Sequence, residues 1–93
     1  MESAKIKVIG KVQGVAFRYY TKIQADKLNI KGTVQNLSDG SVLIYAYSSS
    51  IQLKELISWC EDGGSPAATV NKIVVEKLIT KSPDRFTDFL IIR

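Results

Sequence analysis

Apolar and polar residues alternate almost from the start of the chain. In residues 4 to 12, AKIKVIGKV, one side carries Ala4, Ile6, Val8, Gly10 and Val12, and the other Lys5, Lys7, Ile9 and Lys11. A period of two with lysines on one side predicts a half-buried strand. Residues 17 to 29, FRYYTKIQADKLN, break that period and contain neither Gly nor Pro. There Phe17, Thr21, Ala25 and Leu28 recur at helical spacing, with Tyr20 beside the stripe and Tyr19 and Ile23 off it. This predicts a helix of imperfect amphipathicity that exits at Asn29, with Gly32 beyond.

Residues 31 to 47 read as a hairpin. KGTVQNLS and SVLIYAY flank Asp39–Gly40, a strong short-range hairpin signal. Gly32, Val34 and Asn36 share one face of the first strand, and Val42, Ile44 and Ala46 one face of the second. Residues 49 to 62 give a clearer helix, with Leu53, Leu56, Ile57 and Cys60 on one apolar stripe. Ser49 and Gln52 have the spacing of a capping box, and Gly63–Gly64 followed by Pro66 ends the helix. GGSPAA is then a loop. TVNKIVVEKL (69 to 78) and RFTDFLIIR (85 to 93) read as strands joined by the turn TKSPD.

The order is β-α-β-β-α-β with a short extra strand at the C-terminus, in one domain spanning 1–93. An antiparallel sheet with two helices on one face satisfies it. Right-handed crossovers then lead to a ferredoxin-like α+β sandwich. Leu43, Tyr45 and Tyr47 fall on the face away from the helices. Two readings fit them: scattered surface apolars or a partner contact.

Composition narrows the chemistry. Of 93 residues, none is His and one, Cys60, is Cys. Histidine triads, histidine bases and phosphohistidine intermediates are excluded, no internal disulfide can form, and a transition-metal site is not expected. Cys60 itself reads as a small core residue. The net charge of +4 fits a solvated basic surface or the steering of anions, but not the dense cationic patch of a nucleic-acid binder. Met1–Glu2–Ser3 runs straight into an alternating strand, and no apolar run is long enough for a membrane span. The expectation is a cytoplasmic protein with no membrane partner.

The loop between the first strand and the first helix is QGVAFR. A helix N-terminus offers unpaired N–H groups and the positive end of its dipole. Gly14 can take φ > 0 and lets the backbone curl toward a ligand, so that N–H groups converge on an anion. Arg18 adds a planar charged fork able to grip two phosphate oxygens. The run is neither a P-loop nor a dinucleotide fingerprint. On this loop alone, a phosphate site and a plain turn with a surface arginine both stay open. Asn36, a polar amide with the parity of Val34, supplies a second candidate. It can hold a water or bond locally to shape the turn.

Two stretches together are more specific. GKVQGVAFR (10 to 18) and GTVQNLSDGSV (32 to 42) resemble the two signatures of the acylphosphatase family. Trp59, GSPAATV and FLIIR echo it elsewhere, so the resemblance covers essentially the whole chain. Thr33, Tyr47–Ser48 and Leu90 depart from the family pattern and bear on local packing and the shape of the substrate mouth.

The resemblance implies hydrolysis of acyl phosphates to carboxylate and phosphate without a cofactor or metal. By motif position, Arg18 looks like the phosphate-binding arginine and Asn36 like the residue that orients the attacking water. The backbone of Gln13, Gly14, Val15, Ala16, Phe17 and Arg18 looks like the phosphate cradle. A carboxylate leaves without protonation, so the missing histidine is no obstacle to this chemistry. The expected partner is a small-molecule acyl phosphate, and the expected state a monomer that binds no nucleic acid. The rival readings are an inactive phosphate-binding or RNA-binding module on the same fold. Acylphosphatase-like domains also occur within larger maturation proteins; the chain's end at Arg93 leads instead to the expectation of a stand-alone enzyme.

Overall fold

The computed structural model of the chain describes residues 2–78 and 87–93. Seven elements follow in order: β1 (Glu2–Lys11), α1 (Phe17–Lys27), β2 (Lys31–Asn36), β3 (Val42–Ser48), α2 (Ser50–Glu61), β4 (Thr69–Leu78) and β5 (Phe89–Ile92). Each lies within two residues of its expected bounds, except that β5 is shorter than the strand read over 85–93. The turn expected at 80–84 lies outside the described residues.

The strands form one sheet in the order β4-β1-β3-β2-β5. β1 lies between β3 and β4 and pairs antiparallel with both, with one register shift at Ile9/Gly10. β2 is antiparallel to β3 but parallel to β5, matching Val34 with Ile91. The sheet is therefore mixed, which corrects the wholly antiparallel expectation. Strand alternation is the same in either direction, so the pattern of FLIIR carries no sign of its sense.

Both helices cover one face. Ile6, Val8, Val34 and Ile44, all essentially inaccessible, pack into one cluster with Phe17 and Ala25 of α1 and Leu53, Leu56 and Cys60 of α2. Thr21 is buried on the same side of α1, and its Oγ1 donates to the carbonyl of Phe17 at 2.7 Å. α2 starts as its capping signal predicts, with Ser49 Oγ accepting from the Gln52 N–H at 3.3 Å. Burial, aided by the neighbouring Glu61 charge, pushes the Cys60 thiol up to about 12. Such a thiol stays protonated and behaves as a small core residue.

On the opposite face, Tyr45 and Tyr47 are half-buried, but Leu43 is only 6% exposed. Its cross-strand neighbours, Lys7 and Gln35, have long stems able to cover it, so it is no surface apolar. β5 is held to α1 by cationic side chains one turn apart. Arg18 Nη1 donates to the Ile92 carbonyl at 3.2 Å, and Lys22 Nζ to the Phe89 carbonyl at 2.7 Å.

Candidate active site

The strand-to-helix loop begins after the buried Val12. It turns through two left-handed residues, Gly14 at φ 75° and Ala16 at φ 60°. For alanine that conformation costs about 1–2 kcal/mol, so the surrounding structure has to impose it. Ala16 is the N-cap of α1 and offers no side-chain cap. Among the described residues, no backbone N–H from Gly14 to Tyr19 donates a hydrogen bond. The result is a helix start whose donors remain available, beside a backbone curl.

Two neighbours back the loop. Ser65, 3% exposed, donates from Oγ to the Val15 carbonyl at 3.0 Å. The Phe17 ring packs against Trp59 of α2, with centroids 5.6 Å apart. Gln13 turns its side chain out of the loop, donating from Nε2 to the carbonyls of Leu37 and Ser41 at 2.7 and 2.9 Å.

A cavity of about 260 Å³ opens at this end of the sheet, lined by Gly14, Ala16, Phe17, Arg18 and Asn36 among others. The fold thus brings Asn36 to the loop, although it stands eighteen positions after Arg18 in the sequence. Val15 and Gln13 do not line the cavity. Asn36 is the last residue of β2 and pairs with Val42. Its Oδ1 is buried and has no partner among the described residues. Within the turn itself the side-chain bonds are made by Asp39, whose Oδ1 accepts from the Ser41 N–H at 3.0 Å and from the Ser41 hydroxyl.

Asp39 also forms an ion pair with Lys7 at 2.8 Å. The hydrogen bond from Lys7, followed by those from Ser41, holds the Asp39 carboxyl well below the usual carboxylate range. This pair braces the turn behind Asn36.

Tyr19, Ile91 and Arg93 also line the cavity, and sequence reasoning missed all three. Tyr19 carried a signal, since it is a large residue in the first turn of α1 that lies off the buried stripe. Ile91 and Arg93 carried none. They reach the cavity because β5 adds beside β2. The charged side chains lining the cavity are Arg18 and Arg93, both cationic, so the cleft suits an anion. Among the described residues, no three His, Cys, Asp or Glu side chains gather to form a metal site.

Strand order and helix placement define a ferredoxin-like α+β sandwich, with a cleft bordered by two arginines at one end of the sheet. Sequence and structure comparisons agree on the family. The Acylphosphatase family model matches residues 4–91. A curated acylphosphatase of Ligilactobacillus salivarius (strain UCC118) is 45% identical over 87 residues, covering 94% of this chain and 97% of its own. Another, from Thermotoga maritima, is 41% identical over 91 residues, covering 98% and 97%. The crystal structure of acylphosphatase from Bacillus subtilis superposes with a TM-score of 0.91 at 34% identity, covering both chains completely. The chain belongs to the acylphosphatase family and is an enzyme of that type.

Proposed function

We propose that this chain hydrolyses the carboxyl–phosphate bond of small acyl phosphates, using Arg18 and the loop backbone at Gly14, Ala16 and Phe17 to hold the phosphate and Asn36 to place the water. One observation carries the reading. Arg18, the start of α1 with its free N–H groups, and Asn36 with a buried, unpartnered Oδ1 all border one cavity. A buried amide oxygen without a donor is costly by about 1–3 kcal/mol, so a polar side chain is kept at this place for more than packing.

The chemistry follows from charge and position. The phosphoryl group sits in the curl of the loop, its equatorial oxygens facing backbone N–H groups and the Arg18 fork. The Asn36 side-chain amide hydrogen-bonds to the water and aims the water's lone pair at phosphorus. As the water oxygen bonds to phosphorus, the bond from phosphorus to the acyl oxygen breaks. The electron pair leaves on a carboxylate, which needs no proton. The water's proton passes to an oxygen of the phosphate. Positioning and charge stabilisation account for most of the catalysis in such transfers.

Within the same proposal the chain acts as one domain and as a cytoplasmic monomer, on a small-molecule substrate and without nucleic acid. No described helix is long and apolar enough to cross a membrane.

Benzoyl phosphate hydrolysis, followed in the ultraviolet, tests the reading. The wild type turns over and is inhibited competitively by inorganic phosphate. Asn36→Ala, folded by circular dichroism, loses about 10²-fold or more in kcat, as when a reacting group is no longer held in place. An Asn36→Ala rate near wild type would overturn the assignment.

A further inference from the structure

Gln13 lies between the buried Val12 and Gly14, and its backbone is part of the loop. Its side-chain amide leaves the loop altogether. Both N–H bonds of Nε2 are spent on the β2–β3 turn, one on the Leu37 carbonyl at 2.7 Å and one on the Ser41 carbonyl at 2.9 Å. These carbonyls belong to the residues directly beyond the Asn36–Val42 pair, one on each side of the turn.

The turn does not need these bonds to close. The Leu37 N–H already donates to the Ser41 carbonyl at 2.9 Å, and the Gly40 N–H to the Leu37 carbonyl at 3.2 Å. Asp39 adds its own bonds to Ser41 and its ion pair to Lys7. Each of the two carbonyls has a second lone pair, and Gln13 takes it. What Gln13 contributes is therefore a fixed separation between the turn and the loop.

We infer that Gln13 is a positioning residue, whose two-pronged bond to the turn holds Asn36 in register with the phosphate cradle. This rests on the reading of Asn36 as the water-placing residue. Among the described residues the Asn36 oxygen has no partner to locate it, so its place depends on the backbone that carries it. In-line attack needs the water and the phosphorus aligned, and a misplacement of about 1 Å can cost about 10²-fold. Gln13 crosses between the two parts that must be aligned.

Two variants remove the donors. Gln13→Met keeps the length of the side chain without polarity. Gln13→Glu keeps the shape but, at neutral pH, sets an acceptor against two carbonyls. For each, kcat and KM for benzoyl phosphate and the inhibition constant of inorganic phosphate are measured, with the folded fraction from circular dichroism. Per folded molecule, kcat falls about 10–100-fold, while KM and phosphate inhibition stay within about twofold. If Gln13→Met does not fold, Gln13→Glu carries the same measurement. A purely structural role would reduce the folded fraction and leave kcat per folded molecule unchanged, overturning the inference.

A double-mutant cycle separates this inference from the reading beneath it. If Gln13 acts through Asn36, Gln13→Met lowers the residual rate of Asn36→Ala by less than about twofold. Losses that multiply overturn the role of Gln13 and leave that of Asn36 standing. A wild-type kcat in Asn36→Ala alone removes the underlying reading, and the role of Gln13 goes with it.

Discussion

Gly64 lies against the ring of Phe17, so closely that a Cβ built on the glycine would stand 2.4 Å from Cε2 and 3.0 Å from Cζ. Phe17 is the first residue of α1 and 1% exposed. Gly64 closes the far end of α2, its N–H donating to the Trp59 carbonyl at 3.0 Å. The exit of one helix thus backs the entry of the other, just behind the loop that borders the cavity.

Gly64→Ala therefore combines a left-handed backbone, at φ 64°, with a clash against a packed ring. A loss of about 2–4 kcal/mol follows from strain and overpacking together. Gly63, at φ 109°, has no atom within 4 Å of its Cβ position, so Gly63→Ala carries backbone strain alone. Urea unfolding of both variants measures the losses, and a Gly64→Ala loss no larger than the about 1–2 kcal/mol of backbone strain would mean that the Phe17 contact contributes nothing.

Gly14 shows the opposite pattern. A Cβ there meets nothing within 4 Å, yet the residue lines the cavity at φ 75°. Gly14→Ala should lose only about 1–2 kcal/mol through strain. Its larger effect falls on the ligand, because the added methyl group enters the space assigned to phosphate. Competitive inhibition by inorganic phosphate weakens in this variant; an unchanged inhibition constant would sink the cradle.

Arg18 spends one N–H on the Ile92 carbonyl, and the proposed function gives the rest of its fork to the phosphate. Arg18→Lys retains the charge and loses the planar, two-pronged grip. Both Arg18→Lys and Arg18→Gln should lower kcat by about 10²–10³. Steady-state kinetics at low ionic strength decides, and near-normal turnover by the lysine variant would show that charge alone suffices.

Asp39 makes stability depend on acid. Its carboxyl is held below its ordinary value of 3.8 by Lys7 first and then Ser41. A group depressed in the folded state stabilises the fold above its unfolded value, and that contribution drains away as pH falls below about 3.8 toward the folded value. Asp39→Asn should thus be less stable than wild type at pH 7, with the gap closing in acid. Thermal melts of both proteins between pH 7 and pH 2 measure it. Because Asp39 is exposed and its pair is open to solvent, high salt should also narrow the gap.

Much of this architecture was legible in the order of residues. Leu53, Leu56 and Cys60 repeat at helical spacing and are buried together, because a helix brings those positions onto one side. Asp39–Gly40 marked the hairpin, since a tight turn needs a residue that accepts positive φ and Gly40 stands at φ 92°. Asn36 was placed on the helix-covered side by its parity with Val34. These signals are local, and local geometry settles them.

The signals that failed concern distance along the chain. Alanine has no preference for the left-handed backbone, so nothing marked Ala16 as the second twist of the loop. The donors of Gln13 find acceptors 24 and 28 residues away, a choice that no spacing rule contains. The side of the sheet on which β5 adds, and its parallel sense, bring Ile91 and Arg93 to the cavity and give Arg18 the Ile92 carbonyl. The sequence by itself determined the elements, their buried faces and the two motifs, because backbone periodicity and turn sterics act over a few residues. Only the tertiary structure decided how loop, turn and last strand meet around one cleft, because hydrogen bonds and packing between distant segments form only when the whole sheet closes.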